Sequence, residues 1–245
     1  MVKLAKTICT ATCIAGLATS AQATLTDREE SIVPIAAFAA NGNETALKVA
    51  LKSGLEKGLT VNEIRSVLEQ MYAYAGFPRS LTGLGVFVDL LQERRKAGIE
   101  DVKGREASPM KKGESIREIG TKTQTALIGQ PASSPVYDFS PNIDTYLKEH
   151  LFGEIFTNDL LTWRERELAT LAALSALPAP KQLRSHLNVC LNIGFVSDEL
   201  KSFANIVQKQ IGNEAGKLAR DSVEKRASEI LCPWDNRSPP NGCIQ

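Results

Sequence analysis

Residues 162–194 read TWRERELATLAALSALPAPKQLRSHLNVCLNIG, and this stretch decides the fold. It opens on a helix-start signal: a Thr162 hydroxyl and a Glu165 carboxylate at the spacing of a capping box, where each satisfies a backbone donor that the first turn leaves free. Apolar residues then recur at helical spacing through Leu168, Leu171, Ala172 and Ser175. Pro178-Ala179-Pro180 interrupts the run, and a second helix follows up to Gly194, a residue type suited to the left-handed position after a helix end. On that second helix Leu183, His186, Leu187, Cys190 and Leu191 fall on one face. The first helix carries Glu167, and the second carries His186, one of two histidines in the chain. An acid and an imidazole on apolar helices are costly unless they are paired or used.

Working outward, the chain repeats itself. An ungapped shift of 136 residues, the shift that carries Thr26 onto Thr162, lays LTDREESIVPIAAFAA (25–40) on LTWRERELATLAALSA (161–176). It also lays Leu47, Leu51, Leu55, Gly58 and Glu63 on Leu183, Leu187, Leu191, Gly194 and Glu199. The first copy opens on its own capping box, Thr26 with Glu29, and its third helix on another, Thr60 with Glu63. Positions 167 and 186 correspond to Ser31 and Ala50, and position 190 to Gly54, so the earlier copy keeps the leucine ladder without the reactive groups. After the third helix the copies read as divergent. MYAYAGFPRSLTGLGVFVDLLQERR breaks at Gly76 and Pro78 and resumes as an apolar helix, whereas QKQIGNEAGKLARDSVEKR is far more polar.

No alternating strand pattern is long enough for a sheet, so the expected fold is all-α, two helical repeats packed together. The expected divisions are a leader at 1–23, the first repeat at 24–100, a linker at 101–138, the second repeat at 139–228 and a tail at 229–245. Within the linker, a short helix is expected at Glu114–Leu127. Residues Phe139–Phe156 read as one amphipathic helix leading into the second repeat.

Composition limits the function classes. The 29 Lys+Arg against 28 Asp+Glu give a net charge of +1, without the basic field that gathers nucleic acid. Lys3 and Lys6, the short apolar run 7–20 and Ala21-Gln22-Ala23 follow one another as the three parts of an export signal. The mature chain is therefore expected to start at Thr24, to be exported to the periplasm, and to stay off the membrane once the signal is cleaved. Cys232 and Cys243 flank a Pro/Asn/Gly-rich tail that a disulfide between them would staple. Cys190 is then the odd thiol.

LTWRERELATLAAL, LRSHLNVCLNIGF, GLTVNEIRSVLEQMYAYAGFPRSL and YLKEHLFGEIFTNDLLTWRERE resemble the carboxymuconolactone decarboxylase family, which includes the alkylhydroperoxidase D-like proteins. The resemblance covers about 25–95 and 137–207. It implies short packed helices and homo-oligomers, here a trimer of two-repeat chains, with a small molecule as substrate and neither cofactor nor metal. The peroxidase branch resembles a frame of Glu, Cys-x-x-Cys and His. Glu167 and His186 fit that frame, but its cysteine positions hold Ala179 and Gln182, and in the first copy the frame reads Ser31, Asn43, Ala46, Ala50. The decarboxylase branch needs no thiol. There, the resemblance implies His186 as proton donor oriented by Glu167, with Tyr72, Tyr74, Arg79 and Trp163 as candidates for substrate contact. Two alternatives stand beside it: a peroxide-reducing protein relying on Cys190, and a non-catalytic binding or assembly protein. His150, in the polar turn KEHLF, is expected to be exposed.

Overall fold

The two helices of the quoted stretch form where they were read, as α8 (Trp163–Ala176) and α9 (Pro180–Asn192). A computed structural model describes residues 24–110 and 113–231; the leader and the Cys232–Cys243 pair lie outside the described residues. The first repeat is α1 (Asp27–Asn41), α2 (Glu44–Glu56), α3 (Val61–Gln70) and α4 (Tyr72–Lys96). In the second repeat, α8 and α9 are followed by α10 (Ser197–Ile206), a π-helical turn π2 (Val207–Ile211) and α11 (Asn213–Leu231). Apart from one residue at the end of α8, the first three helices of each repeat coincide under the 136-residue shift. The capping boxes at Thr26/Glu29, Thr60/Glu63 and Thr162/Glu165 all close. Among the described residues there is no strand.

The repeat runs further than its sequence suggests. Gly76 (φ 81°, ψ 164°) and Gly212 (φ 138°, ψ 174°) occupy equivalent positions, and both hold backbone that residues with a Cβ rarely adopt. The side chains after the third helix diverge, and the break that turns the chain into its fourth helix does not.

α1 and α8 form the centre of the molecule. From position 31 to 40 in α1 and from 165 to 175 in α8 every residue is buried; α1 is almost wholly apolar over that span, as expected of a buried helix, whereas α8 also buries Glu165, Arg166, Glu167 and Thr170. Their alanines (Ala36, Ala39 and Ala40; Ala169, Ala172 and Ala173) allow close side-by-side packing within one core. The N-terminal ends are locked by a reciprocal set of ion pairs. Arg28 reaches Glu165 of the other repeat at 2.5 Å and Glu63 of its own at 2.8 Å. Its counterpart Arg164 reaches Glu29 at 3.0 Å and Glu199 at 2.7 Å. The capping carboxylates Glu29 and Glu165 therefore serve their own helix start and the opposite repeat at once. The two halves relate as a dimer would, with a pseudo-twofold relation between them.

The segment between the repeats is more built than the linker expected of it. Val61 and Asn62 donate backbone hydrogen bonds to Val102 and Lys103 O, at 3.0 Å each, which straps the chain after α4 to the start of α3. A helix does form at α5 (Ile116–Ile128), opened by a Ser115/Glu118 capping box. The single amphipathic helix expected over 139–156 is instead three pieces: α6 (Pro135–Phe139), α7 (Pro141–Tyr146) and a π-helix, π1 (Leu147–Ile155). Pro141 lacks the N–H needed to continue a helix and so starts a new one. α5 and π1 touch backbone to backbone: a Cβ on Gly120 would sit 1.6 Å from Lys148 O. Together they make a second, smaller core of Leu127, Leu151, Phe152 and Phe156 that packs on Val189 of α9.

Candidate functional site

Helix α9 lies against α8 with His186 turned inward. Its Nδ1 is 2.8 Å from Glu167 Oε2. The carboxylate is 0 % exposed and the imidazole 16 %. The pair read from sequence on two separate helices therefore meets in space. With Nδ1 donating to the carboxylate, the ring orientation is fixed and Nε2 is the nitrogen left for a reactant.

The first repeat completes the surroundings. Tyr74, at the start of α4, sets its ring edge-on to His186 with centroids 5.9 Å apart. Burial, with the Glu167 charge adding to it, pushes the Tyr74 phenol well above its usual range, so it remains a neutral donor. Two polar atoms of this cluster, Tyr74 Oη and Glu167 Oε1, are buried without a hydrogen-bond partner. The nearby Thr170 hydroxyl is engaged elsewhere, donating to Arg166 O and accepting from Gln70 Nε2. Such orphaned atoms are rare in folded interiors, and each calls for a partner or a role.

Beneath the pair, Gln70 at the end of α3 clamps α8 from the opposite repeat. Its amide nitrogen donates to Arg166 O at 2.9 Å and to Thr170 Oγ1 at 3.0 Å, and its Oε1 accepts from the Arg166 guanidinium at 3.1 Å. Arg166 is fully buried and its other contacts are neutral: Ser66 Oγ at 3.2 Å and Asn158 O at 2.6 Å. Burial pulls its pKa down to about 10, which leaves a positive charge in the core at neutral pH. Sequence reasoning passed over Arg166, Gln70 and Thr170. The internal comparison carried the signal, because their counterparts are Glu30, Ile206 and Pro34.

The remaining candidates separate. Cys190 follows His186 by one turn but is fully buried. Burial, and after it the Glu167 charge, pushes its thiol far up, so little thiolate is present. Tyr72 stacks on Phe77 at 4.7 Å rather than joining His186. Arg79 lies across Gly42 at the end of α1, so close that a Cβ there would sit 1.6 Å from its Nη1. Trp163 donates Nε1 to Phe156 O at 3.1 Å, one turn before Glu167 on α8. His150 is exposed and bonded to Glu154 at 2.8 Å. Among the described residues no group of three or more His, Cys, Asp or Glu is placed to hold a metal ion, and no helix is long and apolar enough to cross a membrane.

A tandem all-α repeat with a buried carboxylate–imidazole pair in one copy defines a class of protein built on paired helical units. The family model of the carboxymuconolactone decarboxylase family matches residues 10–89 and 141–212, more than half of the chain and one stretch per repeat. The chain belongs to that family. It is 30% identical over 110 residues to 4-carboxymuconolactone decarboxylase of Acinetobacter baylyi, a match spanning 43% of this chain and 82% of that relative.

Proposed function

We propose that the second repeat is an acid–base site acting on a small organic acid or lactone, with decarboxylation as the reaction. His186 acts through Nε2 and Glu167 orients it through Nδ1. The observation that carries the reading is the 2.8 Å contact between a fully buried carboxylate and a partly exposed imidazole. When the C–C bond to the departing carboxylate breaks, its electron pair stays on the substrate carbon and is delocalised as a dienolate. CO₂ leaves, and the proton held at His186 Nε2 is delivered to that carbon. The Tyr74 hydroxyl, buried, neutral and without a partner, is suited to donate to the developing enolate oxygen.

The experiment is CO₂ release from 4-carboxymuconolactone, the compound in the relative's name, followed by a panel of small lactones and carboxylic acids. Turnover should fall by about 10²- to 10⁴-fold in His186→Asn, with thermal unfolding nearly unchanged. Cys190→Ala should keep its activity. Full activity in His186→Asn would remove the proposal, and loss of activity on alkylating Cys190 would favour thiol chemistry instead. Export and assembly as a trimer of two-repeat chains belong to the same reading. N-terminal sequencing of secreted protein and light scattering test those two points.

A further inference from the structure

The pseudo-twofold relation gives the Glu167–His186 site a counterpart in the first repeat, and that counterpart is hollow. A cavity of about 380 Å³ lies between α1 and α2, bounded on the third side by Gln210 of π2. Every residue lining it is the 136-residue equivalent of one in or beside the second-repeat site. Ser31 replaces Glu167, Ala50 replaces His186, Pro34 replaces Thr170 and Gln210 replaces Tyr74.

Two further exchanges say what fills it. In the second repeat the ground beside His186 is covered by the apolar α5–π1 segment, which packs on Val189 and Ile193. Their first-repeat counterparts, also lining the cavity, are Ser53 and Lys57. Polar residues at those positions suit no apolar helical cover. The cavity is graded along the α1–α2 hairpin. Phe38, Pro34, Ala46, Val49 and Ala50 come from the parts of α1 and α2 nearer their turn, and Glu30 and Lys57 from the start of the first and the end of the second. Among the described residues neither the Glu30 carboxylate nor the Lys57 ammonium is in an ion pair. A concave site of this volume, apolar with a few charged groups at one end, has the form of a small-molecule pocket.

The geometry points to a second ligand site in the first repeat, between α1 and α2. Its ligand is a small zwitterion of the amino-acid type, its ammonium facing Glu30, its carboxylate facing Lys57 and its apolar body against Pro34, Phe38 and Ala50. No chemistry is assigned to it, because the positions of the acid and the imidazole hold Ser31 and Ala50.

The test is isothermal titration of the full chain with L-phenylalanine, and with 3-phenylpropanoate and phenethylamine, which each lack one charge. L-Phenylalanine should bind one site per chain at millimolar affinity or better. Each single-charge analogue, and each of Glu30→Gln and Lys57→Met, should weaken binding about tenfold or more. Ser53→Trp at the rim and Ala50→Phe on the floor should abolish it, and His186→Asn should leave it unchanged. No L-phenylalanine binding, binding that survives both filling substitutions, or 3-phenylpropanoate binding equally well overturns the assignment. So does a change of oligomeric mass in Ser53→Trp without ligand binding, which makes the cleft a protein interface. Loss of binding in His186→Asn places the ligand in the second repeat and overturns it too. None of these outcomes depends on the decarboxylation assay.

Discussion

The two repeats share one backbone plan and differ in what they do with it. α2 and α9 begin and end at equivalent residues, as do α3 and α10, and the capping glutamates at 29 and 165 make equivalent bonds. Yet equivalent places hold Ser31 and Ala50 in one repeat and a bonded Glu167 and His186 in the other. The ends near the α1–α2 and α8–α9 turns differ as well. Arg79 fills the space over Gly42 in the first repeat, while its counterpart Ala215 lines a cavity of about 580 Å³ beside Pro178 in the second. The frame is therefore separable from the groups it carries: it tolerates an acid–imidazole pair or a small, mostly apolar pocket at the same point. Arg79, a substrate-contact candidate by resemblance, lies on the first repeat's own helix end, apart from the pair.

Paired substitutions test that separation. The largest expected contrast is in turnover. Glu167→Gln should cost about 10²-fold or more by releasing the orientation of His186, whereas Ser31→Ala at the equivalent position should leave turnover unchanged. Equal rates in the two variants would erase the functional asymmetry. Scaffold positions should behave alike. Ile35→Ala and Leu171→Ala, both fully buried at equivalent sites, should each cost about 2–5 kcal/mol in denaturant unfolding. A large difference between them would mean that one repeat dominates stability. Gly76→Ala and Gly212→Ala should each cost about 1–3 kcal/mol, because both demand positive φ.

The smallest effects belong to the reciprocal ion pairs. Arg28→Ala and Arg164→Ala should each cost about 1–2 kcal/mol, between exposed and buried pairs. These pairs also set an acid response. Burial works against ionisation of Glu29 and Glu63, but Thr26 with Arg164, and Arg28 with Thr60, outweigh it and hold both carboxyls below the usual range. A carboxyl whose folded pKa is lowered stabilises the fold above its unfolded value of about 4.3 and loses that contribution as pH falls through the folded value. Wild-type stability should therefore drop below about pH 4, and the Arg28→Ala/Arg164→Ala double variant should lose less over the same range. Identical acid profiles would show that these pairs carry no linkage.

Much of this was legible residue by residue. The capping boxes, the glycine stops and the apolar spacing are local signals, and each helix start they mark is present. The shift of 136 residues exposed the repeat and singled out Glu167 and His186. The same shift aligns Gly76 with Gly212, although the polar composition around the second disguises the shared turn. Within 101–156 the α5 helix is legible from its own pattern, and the division of 139–156 into separate pieces is not. Apolar spacing runs on through 139–156, so it suggests one amphipathic helix, while Pro141 restarts the chain and the pieces take their places by packing on α5 and α9.

By itself the sequence determined an all-α tandem repeat, the positions of its helix starts and the faces on which an acid and a histidine lie. Only the tertiary structure decided that those faces meet at 2.8 Å, that Tyr74 and Gln70 of one repeat complete the site on the other, and that the equivalent place in the first repeat is an open cavity. Helix starts and faces follow from interactions within four residues along the chain. The site joins residues about a hundred positions apart, such as Gln70 and Thr170. Their meeting depends on how two already formed units pack, which the α1–α8 core and its reciprocal arginines set and no local pattern encodes.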